Sequence, residues 1–291
     1  MRDSTAFLVS VIATLLAVAL ALLVDDDAHR VAGLPLFAGL ALFGFAVQWL
    51  VFVPSFLRQT EHYYDLTGAV TYASVILLAA GLGSPDARGW VITALVLIWC
   101  ARLGSFLFRR VKRSGRDDRF DTLKPYWGRF FMAWTLQGLW VFITLLAALV
   151  AVTSPGSASW DGWATLGLVV WAAGFAIEAV ADRQKSAFKA DPANQGRFIQ
   201  HGLWAWSRHP NYFGEIVLWT GIAIMATPAM GGWQWLGWLS PLFVCWLLTQ
   251  VSGIPMLEKR ADEKWGGQAD YEAYKAATPV LVPRPPGRTT R

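Results

Sequence analysis

Long apolar runs alternate with short polar segments along the whole chain. Each run approaches the roughly 20 residues that a helix needs to cross about 30 Å of hydrocarbon. The eight runs with few charges cover residues 6–24, 33–56, 66–83, 89–108, 130–152, 162–181, 212–229 and 233–257. Because backbone groups in lipid must be hydrogen-bonded within the segment, and the runs lack strand alternation, the pattern predicts an all-α transmembrane bundle of eight spans. The polar segments between the runs are short, so we expect one integral-membrane domain over residues 1–291.

The first run has the length of either a spanning helix or a signal peptide. Residues 1–5 carry one Arg and one Asp, no small-residue cleavage pattern follows Val24, and aspartates come directly afterwards. These features favour a spanning helix.

Composition and charge agree with a membrane protein. Hydrophobic residues make up 55% of the chain and charged residues 15%. If the N-terminus is inside, the inner segments hold 22 of the 25 Lys and Arg residues, as the positive-inside rule requires. We therefore expect both termini in the cytoplasm. The net charge of +5 is explained by this topology and by anionic lipids, so we expect no nucleic-acid partner.

The residue types that hold metals are sparse. Cys100 and Cys245 both lie in apolar runs, and the four histidines, at positions 29, 62, 201 and 209, show no i, i+4 pairing. A disulfide scaffold and a metal site are therefore not expected.

Charged groups inside or beside the runs indicate function, because an ionised group in lipid needs a partner or water. Between runs two and three, Glu61, Tyr64 and Asp65 share one face if Glu61 begins the third helix. The alternative is an interfacial aromatic belt with solvated charges. Arg102 lies within the fourth run, about two turns from its end, and requires a carboxylate or an anionic ligand.

A second set of polar groups begins in the sixth run and continues past its end. Its four charged residues, spaced 4, 3 and 4 apart, fall on one helix face if the sixth helix extends into the cytoplasm. They are Glu178, Asp182, Lys185 and Lys189. Either this stripe lines a binding site, or it is a solvent-exposed helix face whose charges form salt bridges with one another.

The stretch WSRHPNYFGE, residues 206–215, introduces the seventh run. Its proline suits the first turn of a helix, which places Arg208, His209 and Asn211 where backbone N–H groups favour an anion. Asn211 and Glu215 lie i, i+4 and face the same way. A purely structural alternative pairs Glu215 with the arginine of run four. Taken together, the polar groups of runs three, four, six, seven and eight predict one pocket, open to the cytosol, for a bulky anionic ligand.

These motifs resemble the steroid 5α-reductase family, in its bacterial branch of integral membrane proteins. The resemblance covers roughly residues 60–285 and is most specific over 197–215. Its motifs are Gln195-Gly-Arg197, Gly202-Leu-Trp204, Ser-Arg-His-Pro-Asn211-Tyr-Phe-Gly-Glu215, Ser252-Gly-Ile-Pro-Met-Leu-Glu258 and Tyr271. The resemblance implies a seven-helix core over residues 57–285, with a cofactor-binding half at 178–285 and an extra N-terminal helix at 1–30.

The resemblance also implies an enzyme that uses NADPH to reduce a carbon–carbon double bond conjugated to a carbonyl in a lipophilic, steroid-like or other enone substrate. Asn211 and Glu215 would hold the nicotinamide end, and Arg109 or Arg110 would approach the phosphates. The cofactor-binding residues expected in all are Arg102, Arg109, Arg110, Glu178, Asp182, Lys189, Arg197, Arg208, His209, Asn211, Tyr212, Glu215, Glu258 and Asp262. Glu61 and Tyr64 would be the catalytic donors to the carbonyl oxygen, while Trp99 stands where the family carries a tyrosine.

The expected setting is a bacterial inner membrane, with the active site open to the cytoplasm, a monomeric protein, and membrane lipids as neighbours. Two other functions remain open. An S-adenosylmethionine-dependent membrane methyltransferase of the isoprenylcysteine or phospholipid type carries a similar Arg-His-Pro-x-Tyr, and a lipid-binding or transport protein would also explain embedded charges. Glu215 after Asn211 favours the reductase.

Overall fold

The computed structural model describes residues 2–26, 28–114, 118–154 and 160–286, and for 109–114 and 118 it describes no side chains. Within these ranges the regular elements are helices, apart from a two-stranded antiparallel ribbon in which β1 (Arg30–Val31) pairs with β2 (Leu34–Pro35). Eight helical segments in the described part of the chain are long and apolar enough to cross a membrane. The predicted all-α bundle of eight spans is therefore confirmed.

The first six spans are single helices, and the last two are interrupted. The helices are α1 (Asp3–Val24), α2 (Leu36–Leu57), α3 (Tyr64–Leu82), α4 (Ala87–Ser114), α5 (Trp127–Thr153), α6 (Gly162–Ala190), α7 (Pro210–Ala226), α8 (Leu239–Trp246), α9 (Ile254–Trp265) and α10 (Ala269–Ala277). A 3₁₀ turn at Thr227–Ala229 extends α7. The eighth span joins a 3₁₀ segment (Gly232–Trp238), α8, a π-helical turn (Leu247–Val251) and α9.

The chain divides into two compact units. The first contains Met1–Ala164 and Met225–Ser240, and the second contains Thr165–Ile224 and Pro241–Arg291. In the first unit α5 is buried along most of its length, because α1, α2, α3 and α4 all pack against it.

Arg88 is a buried cation in the first turn of α4. It is 1% exposed. Its Nη2 lies 2.9 Å from Oδ1 of Asp161, and its Nη1 donates to the carbonyl of Met225 at 3.3 Å. The backbone N–H of Ala164 and this guanidinium lower the pKa of Asp161. Arg88 thereby ties three segments of the first unit together.

In the second unit, glycines bring the backbones of α6 and α7 into direct contact. A Cβ atom on Gly214 would lie 2.6 Å from the backbone nitrogen of Glu178 and 2.6 Å from the carbonyl oxygen of Gly174. A Cβ on Gly174 would lie 2.4 Å from the nitrogen of Leu218. Small residues permit such close approach of helices in membranes. The contact fixes Glu178 beside the second turn of α7.

Candidate functional site

The second unit contains a cavity of about 320 Å³ between the C-terminal half of α6, the loop that leads to α7, and helices α9 and α10. Its wall combines two classes of side chain. The basic residues are Lys185, Lys189, Arg197, Arg208, Arg260 and Lys264. The aromatic residues are Phe188, Phe198, Trp204, Trp265, Tyr271 and Tyr274. Among the described residues, Glu258 is the one carboxylate in this wall. The cavity is therefore strongly cationic and has flat apolar surfaces.

Glu258 of α9 binds two consecutive residues of the loop before α7. Its Oε2 lies 2.7 Å from Nη1 of Arg208, and its Oε1 lies 2.7 Å from Nε2 of His209. Three buried atoms of this pair have no hydrogen-bond partner in the described part of the chain: Nε and Nη1 of Arg208 and Nδ1 of His209. Nη1 is held by the ion-pair contact with Glu258.

Burial sets the protonation state of His209. It lowers the pKa of the imidazole, and the neighbouring Glu258 opposes this effect only in part. A neutral ring whose Nε2–H donates to Glu258 leaves Nδ1 as an acceptor. Tyr212 stacks on the ring, with centroids 5.7 Å apart and an interplanar angle of 10°. The imidazole is thus held in one orientation.

The loop is anchored on α6 by two hydrogen bonds. The indole N–H of Trp204 donates to the carbonyl of Ala181 at 3.1 Å, and the side-chain oxygen of Gln184 accepts the backbone N–H of Leu203 at 3.0 Å. The loop therefore runs in a fixed path across the end of the sixth span.

Residues after α10 anchor the other end of the loop. Ser207, which is fully buried, donates its hydroxyl to the carbonyl of Leu281 at 2.8 Å and accepts the backbone N–H of His209 at 3.1 Å. The backbone N–H of Arg208 donates to the carbonyl of Pro279 at 2.9 Å. The C-terminal segment thus holds Arg208 and His209 against the cavity.

The aromatic wall is built around Phe198. Its ring centroid lies 5.8 Å from that of Trp265, 5.2 Å from that of Tyr271 and 5.4 Å from that of Tyr274. Burial raises the pKa of Tyr274, whose hydroxyl donates to the carbonyl of Trp204 at 2.8 Å. Phe198 is therefore packed among three aromatic rings, and the hydroxyl of Tyr274 is fixed by its hydrogen bond.

Two of the basic wall residues lie over aromatic faces. The ammonium of Lys185 lies 4.3 Å from the ring centroid of Trp204, and that of Lys264 lies 4.7 Å from the ring centroid of Trp265. These contacts place positive charge beside flat surfaces.

The cavity brings together some of the residues selected from the sequence. Those in its wall are Lys189, Arg197, Arg208, His209 and Glu258. Others belong to the second unit but not to the described wall: Glu178, Asp182, Asn211, Tyr212, Glu215 and Asp262. Their cofactor-binding roles stay predictions.

Among these, Glu178 and Asp182 are buried on α6, and Asn211 and Glu215 lie on the first two turns of α7. Asp262 accepts hydrogen bonds from the hydroxyl of Tyr271 and the ammonium of Lys275, at 3.1 Å and 2.6 Å. It therefore ties α9 to α10.

The remaining predicted residues belong to the first unit. Arg102 is partly buried in α4, which continues to Ser114, so it lies about three turns from the helix end rather than two. The side chains of Arg109 and Arg110 lie outside the described residues.

The two predicted catalytic residues have protein partners. Helix α3 begins at Tyr64, so the condition that Glu61 begins the third helix is not met; the carbonyl of Glu61 accepts the N–H of Tyr64 at 2.8 Å. The Glu61 carboxylate accepts a hydrogen bond from the ammonium of Lys124 in an ion pair. The hydroxyl of Tyr64 donates to the carbonyl of Ala133 at 3.0 Å.

Arg260, Lys264 and Phe198 line the cavity but were not selected from the sequence. The available signal was the i, i+4 spacing of Arg260 and Lys264 on an amphipathic helix. Among the described residues, no group of three or more His, Cys, Asp or Glu side chains is placed to hold a metal ion.

Comparison with known proteins places the chain in a family. The model of the family described as "Protein of unknown function (DUF1295)" matches residues 51–278, which include the whole cavity wall. The uncharacterized protein C594.04c of Schizosaccharomyces pombe is 24% identical over 246 residues, covering 74% of this chain and 69% of that protein. The probable O-methyltransferase ustE of Ustilaginoidea virens is 33% identical over 107 residues, covering 32% of this chain and 38% of that protein. No solved structure matches the chain significantly. Since the family model matches well over half of its length, the chain belongs to the DUF1295 family.

Proposed function

We propose that this protein is a membrane reductase that uses NADPH to reduce a carbon–carbon double bond conjugated to a carbonyl in a lipophilic substrate. The observation that carries the proposal is the composition of the cavity wall, where six basic side chains and six aromatic rings accompany the single carboxylate of Glu258 in the described residues. Phosphate groups pair with Lys and Arg, and a nucleotide base packs on aromatic rings. NADPH has both kinds of group.

The partial similarity to a probable O-methyltransferase supports a second candidate, a methyltransferase that uses S-adenosylmethionine. This cofactor carries a sulfonium cation and no phosphate. A wall with six basic residues and one carboxylate among the described residues repels a cation. The charge of the cavity therefore favours NADPH.

The reaction class rests on the resemblance of Asn211-Tyr-Phe-Gly-Glu215 to the reductase motif. NADPH, when bound, supplies the hydride. The protein must stabilise the negative charge that develops on the carbonyl oxygen, and Tyr64 and a protonated Glu61, released from its ion pair with Lys124, are the residues proposed for this role. For Tyr64 this means exchanging its hydrogen bond to Ala133 for one to the substrate.

The distribution of Lys and Arg supports a cytoplasmic location for the cavity, in the inner membrane of a bacterium. We propose a monomer whose lipophilic substrate arrives from the surrounding lipid.

Binding measurements on the full-length protein in detergent test the proposal. We expect isothermal titration calorimetry to detect binding of NADPH and no binding of S-adenosylmethionine. Arg260→Gln should weaken NADPH binding about 10-fold or more, since a hydrogen bond to a charged group contributes about 1.5–3 kcal/mol. Lys259→Gln is the matched control, because Lys259 lies on the same helix, is 79% exposed and is not a wall residue.

The reaction is tested separately, by oxidation of NADPH in the presence of cholestenone as a lipophilic enone. Binding of S-adenosylmethionine in place of NADPH would support the methyltransferase. Binding of neither compound would reject both candidates.

A further inference from the structure

We propose that Arg260 and Lys264 of α9 bind the 2′-phosphate of NADPH and thereby select NADPH over NADH. This inference rests on the proposed function and deepens it, because the two nucleotides differ only at this position, where NADH carries a hydroxyl. The overall charge of the cavity does not supply such a selection, since both nucleotides contain the pyrophosphate.

Arg260 and Lys264 lie where a molecule in the cavity can reach them. Both side chains line the cavity, and both residues are exposed. They are spaced i, i+4 in α9, so their Cβ atoms lie about 5–6 Å apart on one helix face. Two cations at this spacing can donate hydrogen bonds to the same phosphate group.

Among the described residues, no carboxylate forms an ion pair with either of these cations. The two nearby acidic residues of α9 have other partners: Asp262 lies 2.6 Å from the ammonium of Lys275, and Glu263 lies 3.9 Å from that of Lys259. A phosphate monoester carries close to two negative charges at neutral pH. Its charge therefore matches that of the two cations.

Trp265 provides a flat surface for the base beside these cations. The ammonium of Lys264 lies 4.7 Å from the ring centroid of Trp265, and the ring centroid of Phe198 lies 5.8 Å from it. The indole N–H of Trp265 donates to the carbonyl of Gly196 at 2.6 Å, which fixes the ring. A base that packs on these rings brings its ribose, and the 2′-phosphate on that ribose, next to α9.

The course of α9 indicates which end of the nucleotide lies here. The helix continues the eighth span, and it leads from the buried Ile254 to the exposed Arg260 and Lys264. A lipophilic substrate requires the nicotinamide ring close to the membrane-spanning helices. The adenosine ribose is at the opposite end of the dinucleotide, so its phosphate belongs at the solvent-exposed end of α9.

The experiment measures the Kd values of NADPH and NADH by calorimetry on the full-length protein in detergent. The wild type should bind NADPH about 100-fold more tightly than NADH, since each hydrogen bond to a charged group contributes about 10-fold. Arg260→Gln should bind NADPH about 10-fold more weakly and keep the affinity for NADH within about 2-fold. The double variant with Arg260→Gln and Lys264→Gln should bind both nucleotides equally. Because both positions are exposed, these variants should fold.

Two matched controls remove a positive charge elsewhere. Lys259→Gln alters a residue of the same helix that is 79% exposed and is not a wall residue, so it should keep the wild-type preference. Lys185→Gln removes a wall cation that lies over Trp204 rather than Trp265. It should change the affinities for NADPH and NADH by the same factor.

Equal affinity of the wild type for NADPH and NADH would overturn this inference and leave the proposed function standing. A preference that persists in the double variant, or that falls as far in Lys185→Gln as in Arg260→Gln, would also overturn it. Binding of neither nucleotide would reject the proposed function, and this inference with it.

Discussion

The carboxylate of Glu258 and the imidazole of His209 are joined by a 2.7 Å contact between Oε1 and Nε2, across 49 residues of sequence. The other oxygen of Glu258 lies 2.7 Å from Arg208. One acidic side chain of α9 thus holds both polar residues that precede α7. This arrangement fixes the basic loop against α9.

Replacing Glu258 should destabilise the protein. Glu258→Gln removes the charge that Arg208 and His209 share, and we expect the free energy of unfolding to fall by about 2 kcal/mol, between the values for exposed and buried ion pairs. Thermal unfolding in detergent measures the effect. Glu263→Gln, on the same helix, alters a carboxylate that is 63% exposed and 3.9 Å from Lys259, so it should change stability by less than about 0.5 kcal/mol. Equal losses in the two variants would contradict the prediction.

Stability should fall in mild acid because of His209. Its pKa in the folded protein lies below the ordinary value of 6.5, so as pH drops below about 6.5 the unfolded chain binds a proton that the folded protein does not. The stability that the neutral imidazole gives the folded protein is therefore fully present above about pH 6.5. It is lost as the pH falls towards the lower pKa of His209 in the folded protein. The melting temperature of the wild type should decline more steeply between neutral pH and mild acid than that of His209→Phe. Parallel curves for the two proteins would mean that His209 does not titrate in this way.

The contact between α6 and α7 should not tolerate a methyl group. Gly214→Ala places a Cβ atom 2.6 Å from backbone atoms of Glu178 and Gly174, so the helices must separate, and we expect a loss of about 1–3 kcal/mol. Gly81→Ala is the control, because no atom lies within 4 Å of a Cβ at that helical position. It should raise stability by about 0.5–1 kcal/mol through helix propensity. If the melting temperatures of both variants shifted in the same direction, the close contact between α6 and α7 at Gly214 would be contradicted.

Arg88 should be required for stability although it lies at a helix end. Arg88→Leu removes the partner of Asp161 and the hydrogen bond to Met225, and we expect a loss of about 3 kcal/mol. Thermal unfolding of Arg58→Leu provides the comparison, since Arg58 is exposed at the end of α2. A melting temperature of Arg88→Leu close to that of Arg58→Leu would show that the buried guanidinium contributes little.

Tyr64 allows structural and catalytic roles to be separated. Tyr64→Phe removes the hydrogen bond to Ala133 and should cost about 1 kcal/mol of stability. If the hydroxyl also stabilises the carbonyl oxygen of the substrate, oxidation of NADPH by cholestenone should slow about 100-fold. Tyr63→Phe, which alters an adjacent tyrosine that is half-exposed, should change neither quantity. A stability loss with an unchanged rate would assign Tyr64 a structural role alone.

The sequence by itself determined the helical class and the positions of the eight spans. The bilayer imposes both a length and complete backbone hydrogen bonding, so an apolar run of about 20 residues has few structures available to it. The proline of WSRHPNYFGE likewise identified the start of α7 at Pro210. Local sequence features also selected Lys189, Arg208 and His209, the resemblance to the reductase family added Arg197 and Glu258, and the tertiary structure placed all five in one cavity wall.

The tertiary structure alone decided which helix faces meet. The pairing of Glu258 with His209, the packing of Phe198 on Trp265, and the burial of Arg88 join residues that are distant in the chain. Periodicity reports which side of a helix is apolar but not which neighbour it packs against, because many pairings of apolar faces bury similar area. The steric contacts at Gly214 and the hydrogen bonds that buried charges require determine which of those pairings forms. Both depend on three-dimensional distances.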